Sequence, residues 1–109
     1  MEIKKTTIFK FTKVFKNEVI KISQNKPALK EKINNCIIDF QENWFNSKYY
    51  RKKLKWFKQE IHELEIWWDY RIIIQLLIKD NICYFLNFWT HSSLELSSNK
   101  SVKINIIRN

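Results

Sequence analysis

The sequence predicts an α+β domain in which two helices pack on one face of a mostly antiparallel, four-stranded sheet. Apolar side chains between residues 13 and 44 recur at spacings of three and four, which is the period of helices. Three runs rich in β-branched and aromatic residues then follow between residues 61 and 89. With 109 residues, 45% of them apolar, the chain has enough material for one core. One domain with the element order β-α-α-β-β-β is expected.

The first strand and the first helix are predicted between residues 7 and 24. Residues 7 to 11 alternate in the two-residue period of a strand that buries one face. Thr12 is expected to cap a helix in which the apolar positions 15, 19 and 22 lie on one side. This helix should end near Gln24.

A second helix is predicted to begin at Pro27, which suits the first turn of a helix, with Asn25 as a plausible cap. One apolar stripe runs through it from Leu29 to Trp44. Residues 46 to 58, NSKYYRKKLKWFK, show neither period. They are therefore expected to form an exposed connection.

The remaining strands are predicted at residues 61 to 67, 70 to 79 and 82 to 89, with Asp80 and Asn81 in a hairpin turn. The two helices should cover one face of the sheet and leave the other face open for a ligand. Residues 96 to 109 are compatible with an extra strand or a flexible tail.

The charge of the chain is strongly basic and unevenly distributed. Lys and Arg number 20 against 11 Asp and Glu, and residues 1 to 58 alone carry a net charge of +10. This half should attract a polyanion, either nucleic acid or an anionic membrane surface, although basic charge also serves solubility. The most apolar run, residues 72 to 78, is too short to span a membrane. With no secretory signal at the start, a cytosolic protein is expected.

Other residue types exclude several classes of site. The sequence contains no glycine, which rules out Gly-rich phosphate loops. Cys36 and Cys83 have no CxxC spacing and fall within apolar patterns, so buried thiols are expected rather than a metal site or a disulfide. No cofactor is expected.

Three strings of the sequence carry a resemblance to a known family. These are IFKFTKVFKNEVIKI, NSKYYRKKLKW, and HELEIWWDYRIII followed by FWTHSSL. In this order they resemble the RelE/ParE superfamily of bacterial toxins, especially its RelE and YafQ-like branches. The resemblance implies a toxin domain at residues 6 to 95 and a C-terminal tail at 96 to 109. It also implies an mRNA endoribonuclease that acts on the ribosome without a metal and is held inactive by a cognate antitoxin.

The resemblance assigns roles to individual residues. Arg71 falls on the arginine that contacts the scissile phosphate, His91 on an acid-base position after the last strand, and Asp69 on an acid before a strand. Lys53 and Lys55 fall on basic loop positions.

RNA cleavage by its own 2′-OH needs a general base, positive charge for the phosphorane and an acid for the leaving oxygen. His91 can supply the acid, since an imidazole titrates near neutral pH. Arg71 can bind phosphate through two donors, or it can instead be an exposed strand residue paired to Glu63 or Glu65. Alternation places Glu63 and Glu65 on the open face, which makes Glu65 or Asp69 the candidate base.

RNA contact is expected from basic side chains interleaved with aromatic ones, which can neutralise phosphates and stack on bases. The basic set is Lys48, Arg51, Lys52, Lys53, Lys55 and Lys58, and Trp68 and Trp89 are added to it. A solvated loop whose aromatic residues cap the core is the alternative. His62 is expected to be a surface residue.

Departures from the family pattern keep two other functions open. Lys52 replaces a histidine or glutamate, Asn87 an arginine, and Glu95 an aromatic residue. A ParE-like gyrase inhibitor or a catalytically inactive RNA-binding module are therefore the alternatives to an endoribonuclease.

Overall fold

Two helices and five strands make up the computed structural model, which describes residues 6–67, 69–90, 104, 106 and 107. In chain order the elements are β1 Ile8–Phe11, α1 Lys13–Ser23, α2 Pro27–Asn43, a 3-10 turn Trp44–Asn46, β2 Tyr50–Lys53, β3 Glu60–Trp67, β4 Tyr70–Leu77 and β5 Ile82–Thr90. The strands form one sheet in the order β1-β5-β4-β3-β2. β1 runs parallel to β5, and the other neighbours are antiparallel. The predicted α+β fold is confirmed, with five strands instead of four.

The helix starts show which capping predictions hold. The Thr12 hydroxyl accepts a hydrogen bond from the Phe15 N–H at 3.0 Å, so the predicted cap of α1 is confirmed. Asn25 does not cap α2, because Lys26 occupies that position without a side-chain hydrogen bond. Asn25 instead has φ 61°, a left-handed conformation that asparagine tolerates well. It makes the sharp turn between the two helices of a chain that has no glycine.

The extra strand β2 lies where an exposed connection was expected. It pairs antiparallel with β3 at the edge of the sheet. It has only four residues, and its pairing register shifts between Tyr50 and Lys52. A strand this short, interrupted by a bulge, does not show the two-residue period from which strands are recognised.

A first core fills the space between the helices and the sheet. Its centre is Phe85 of β5, whose ring stacks on Phe11 at 4.8 Å and meets Phe40 edge-on at 6.3 Å. α2 contributes Leu29, Ile33, Cys36 and Phe40, and α1 contributes Phe15. Burial of such side chains contributes about 1.5–3 kcal/mol each. This layer keeps both helices on one face, as predicted.

Both cysteines lie in the first core as free thiols, in agreement with the prediction. Burial, with a smaller contribution from the nearby Asp39 carboxylate, raises the pKa of Cys36 to about 12. Burial also raises the pKa of Cys83. Burial and a raised pKa both make a thiol less reactive.

A second core lies on the opposite face of the sheet, which was expected to be open. Leu54, Ile61, Ile73 and Leu86 are fully buried there. The side chains that cover them are Phe57, Tyr84, Trp89, Ile104, Ile106 and Ile107. The expectation of an open face was therefore wrong for this part of the sheet. The residues of β4 from Arg71 to Leu76 are all buried, as expected for a strand that is covered on both sides.

Gln75 fastens the C-terminal residues to this face. Its side-chain amide donates to the Ile107 carbonyl at 2.9 Å and accepts from the Ile107 N–H at 2.8 Å. The amide thus pairs with the backbone as a neighbouring strand would. The proposed domain boundary at residues 95 and 96 lies outside the described residues. In the part of the chain that the structure describes, no helix is long and apolar enough to cross a membrane.

Candidate nucleic-acid interface

A cluster of four charged side chains crosses strands β2, β3 and β4 on the face opposite the helices. Arg51 contacts Glu63 at 3.1 Å and Glu65 at 2.7 Å. Arg71 contacts Glu63 at 3.1 Å and approaches Glu65 to 3.8 Å. Two positive and two negative charges therefore alternate, and the cluster has little net charge of its own.

Arg71 lies at the buried end of this cluster. It is only 2% exposed, and Glu63 beside it is also 2% exposed. Its Nη1 donates to the carbonyls of Trp67 at 2.9 Å and Tyr70 at 3.2 Å. The sequence left open that Arg71 is an exposed strand residue paired to Glu63 or Glu65. The pairing with Glu63 is observed, but the expected exposure of Arg71 was wrong. The guanidinium donors thus face a carboxylate and two carbonyls.

Of the other candidate catalytic residues, the structure describes Glu65 and Asp69, and both lie at the same end of the sheet. Glu65 is partly exposed, at 36% of its side chain, and lies beside Arg51 and Arg71. Asp69 is half-buried directly before β4. His91 and Trp68 lie outside the described residues, so the expected approach of His91 to Arg71 stays a prediction.

An open basic cleft borders Glu65 on the outer side of β2. Its volume is about 520 Å³, and it is lined by Lys32, Lys48, Tyr49, Tyr50, Arg51, Glu65 and Ile66. Lys32 comes from α2 and was not among the residues predicted to bind RNA. The spacing of residues within a helix does not show which distant strand a side chain will approach. The Lys32 ammonium group lies over the Trp67 ring, 5.7 Å from the centroid. Lys32 of α2 thus lines one cleft with Lys48 and Arg51 of the β2 segment.

The six basic residues predicted to bind RNA all lie on β2 or beside it, but they differ in availability. Lys53 is paired to Glu60 at 2.9 Å, and Arg51 belongs to the charged cluster. Lys48 is exposed, and its ammonium group lies over the Tyr49 ring, 5.3 Å from the centroid. Lys52, Lys55 and Lys58 are exposed, and neither an ion pair nor an aromatic ring among the described residues engages them. These three form the free part of the basic surface.

His62 belongs to a buried chain of hydrogen bonds between β2 and β3, so its placement on the surface was wrong. It is 4% exposed, with Nδ1 2.8 Å from the Tyr50 hydroxyl and Nε2 3.2 Å from a Glu60 oxygen. Burial lowers the pKa of His62, although Glu60 acts in the opposite direction. Lys53 binds the other oxygen of Glu60. The network ties the basic edge strand to the body of the sheet.

Glu18 of α1 occupies the open edge of β5, a role that sequence reasoning missed. β1 ends opposite Phe85, so the following residues of β5 have no strand on that side. The Glu18 carboxylate accepts hydrogen bonds from the Phe88 N–H at 2.9 Å, the Asn87 side chain at 3.1 Å and the Trp89 indole. Burial raises the pKa of Glu18, while these donors oppose the effect. Trp89 is thereby fixed at the edge, and its ring packs on the second core.

Metal ligands are not grouped in this surface: the described parts of the chain contain no cluster of three or more His, Cys, Asp or Glu side chains suited to an ion.

Comparison with known proteins shows a likeness in structure. No family model matches the sequence, and no curated protein matches it. The metal-bound toxin from Helicobacter pylori superposes with a TM-score of 0.67 at 17% identity, over 82% of this chain and 99% of that chain. A chain of the Escherichia coli DinJ-YafQ complex superposes with a TM-score of 0.64 at 17% sequence identity. YafQ from E. coli strain BL21(DE3) superposes with a TM-score of 0.63 at 16% sequence identity. Each of these two matches covers 82% of this chain and 98% of the other. The chain therefore has the RelE/YafQ-like toxin fold.

Proposed function

We propose that this protein is the toxin of a type II toxin-antitoxin pair and that it cleaves mRNA in the cytoplasm, on the ribosome, without a cofactor. The toxin domain spans residues 6 to 95. The observation that carries the proposal is the open basic cleft beside Glu65, on a sheet with the fold of known toxins. A carboxylate at the rim of a cationic cleft combines a proton acceptor with binding of phosphate.

In the proposed mechanism Glu65 takes the proton of the attacking 2′-OH, with Asp69 as the second candidate. Arg51 lies 2.7 Å from Glu65 and orients its carboxylate. Lys48 and Arg51 line the cleft and stabilise the charge that develops on the phosphate. His91 donates a proton to the leaving oxygen.

Arg71 serves this site in one of two ways. It contacts the phosphate if it gives up its bond to Glu63; otherwise it holds Glu63 and the turn before β4 in place. Its burial favours the second way, and that same observation favours the catalytically inactive RNA-binding module as the second candidate function.

Cleavage is tested with purified chain on mRNA, both free and in a translating ribosome system. His91→Ala should slow cleavage by roughly a hundredfold to ten-thousandfold, and Glu65→Gln should act in the same direction. Glu31→Gln, an exposed carboxylate on α2, is the matched control and should cleave like wild type. Growth arrest that persists in both active-site variants, without any RNA cleavage, would reject the nuclease and favour the ParE-like gyrase inhibitor.

Binding is tested separately through the free lysines. Reversal of Lys52, Lys55 and Lys58 to Glu should weaken binding to single-stranded RNA and reduce the slope of log K against log salt by about 2, since about 0.7 counterion is released per phosphate contact. The control reverses three exposed lysines of α1, at positions 13, 16 and 21, and changes net charge by the same amount. Equal loss in both triple variants would mean that only net charge matters.

A cognate antitoxin is the proposed partner, as DinJ is found with YafQ in the E. coli complex. An acidic, amphipathic segment suits the basic surface along β2. Co-expression with a small neighbouring reading frame should yield a stable complex and relieve growth arrest. Purification of the chain alone from that experiment, with normal growth, would contradict the proposal.

A further inference from the structure

Trp56 is the most exposed aromatic side chain of the basic segment. It exposes 55% of its surface, in the turn between β2 and β3. Its aromatic neighbours are engaged elsewhere: Tyr49 is 7% exposed, Tyr50 is hydrogen-bonded to His62, and Phe57 packs on the second core. The alternative that the aromatic residues of this segment cap the core holds for these three and fails for Trp56.

The turn that carries Trp56 is anchored on both sides. Leu54 is fully buried, and its N–H donates to the Ile61 carbonyl at 2.9 Å. The Phe57 N–H donates to the Leu54 carbonyl at 3.4 Å, and the Phe57 ring lies 5.5 Å from the indole. Because its neighbours face inward, the indole is held outward on a turn of defined shape. Such preorganisation reduces the entropy lost on binding.

The charges around the indole are positive and open to solvent. Lys55 precedes Trp56 and Lys58 follows Phe57; both are exposed, and neither forms an ion pair in the described parts of the chain. The nearby carboxylate of Glu60 is already neutralised by Lys53. An aromatic face beside free ammonium groups suits a ligand that combines a flat ring with an anionic backbone, which describes single-stranded RNA.

We propose that Trp56 is a stacking platform for one unpaired base of the RNA, with Lys55 and Lys58 on the flanking phosphates. This inference rests on the proposed function and extends its interface from the cleft to the turn between β2 and β3. An acidic protein segment would use the lysines, but single-stranded RNA alternates flat bases with anionic phosphates, which matches an indole placed between two lysines. The observations therefore favour RNA over a protein partner.

The test compares a single-stranded RNA oligonucleotide with an abasic oligonucleotide of the same length, using the full chain and fluorescence anisotropy. Trp56→Ala should bind the normal strand about 5- to 150-fold more weakly, the range known for loss of one stacked base. Trp56→Phe, which keeps a stacking ring, should retain most of the affinity. Binding of the abasic strand should be the same for wild type and Trp56→Ala, because phosphate contacts remain. Ile20→Ala, another exposed apolar residue, is the control and should bind like wild type.

The outcomes separate this inference from the proposed function. If wild type binds neither strand, both are wrong. If wild type binds RNA and Trp56→Ala binds it equally well, stacking is overturned while the RNA-binding function stands. If Trp56→Ala keeps RNA affinity but no longer retains a co-expressed partner, the indole belongs to a protein interface and the inference is likewise overturned. An unchanged unfolding midpoint of Trp56→Ala checks that the variant is folded.

Discussion

Replacement of Arg71 by alanine should destabilise the fold before it affects any chemistry. The guanidinium and the Glu63 carboxylate are each nearly inaccessible to solvent and lie 3.1 Å apart. Removal of one member leaves the other charge in a poorly solvated place. It also leaves the carbonyls of Trp67 and Tyr70 without their donor.

The size of the effect follows from the partners that remain. Breaking a buried ion pair from one side costs about 3–5 kcal/mol. Arg51 still contacts Glu63 at 3.1 Å, so the lower end of this range, about 3 kcal/mol, is expected for Arg71→Ala. With an m-value of about 1–3 kcal/mol per molar urea, the unfolding midpoint should fall by about 1–3 M.

Urea unfolding followed by tryptophan fluorescence measures this shift. Arg51→Ala is the control, since its pair with the partly exposed Glu65 contributes about 1 kcal/mol or less and Arg71 still neutralises Glu63. The double variant Arg71→Met with Glu63→Leu should recover much of the lost stability, because an apolar pair can replace a buried ion pair. A midpoint for Arg71→Ala within error of wild type, together with a loss of RNA cleavage, would refute this structural account and support direct contact with phosphate.

Three further predictions concern single contacts. Burial lowers the pKa of His62 from its ordinary 6.5, so that as the pH falls the unfolded chain takes up the proton before the folded chain does. The contribution of His62 to the free energy of unfolding should therefore be complete above pH 6.5 and should decline as the pH falls from there toward the lowered pKa. His62→Gln should flatten this dependence in urea unfolding measured from pH 5 to 8. Glu18→Ala should lower the free energy of unfolding by about 1–3 kcal/mol, because it leaves buried donors unpaired, and it should shift the fluorescence of Trp89. Glu18→Gln keeps an acceptor oxygen and should lower the free energy of unfolding less. Gln75→Ala should release the backbone of Ile107, seen as faster hydrogen exchange at that amide with the rest of the sheet still protected; unchanged exchange there would contradict the pairing.

Long periodic segments could be predicted from the sequence, and short or bulged ones could not. The stripe from Leu29 to Trp44 predicted α2, which ends one residue earlier at Asn43, and the Thr12 cap placed the start of α1. β2 was missed because a bulge interrupts its four residues. Asn25 resembled a cap, but the need for a left-handed residue between two helices determined its role.

The face of the sheet on which Glu63 and Glu65 lie was predicted better than the burial around them. Alternation correctly placed Glu63 and Glu65 on the face opposite the helices. It could not show that Ile104, Ile106 and Ile107 cover part of that face or that Glu63 and Arg71 are enclosed, since both depend on contacts between distant parts of the chain. Glu18 and Lys32 escaped notice for the same reason, because each acts on a strand far away in sequence.

The parallel pairing of β1 with β5 has a consequence for how the chain folds. Thr7 and Asn81, which are hydrogen-bonded at this edge, are 74 residues apart in sequence. Closing so long a loop costs entropy before any contact compensates for it, so domains rich in distant contacts fold slowly. The antiparallel strands β2 to β5 are joined by short turns and can assemble first. During synthesis β1 must therefore wait for its partner until β5 has emerged from the ribosome.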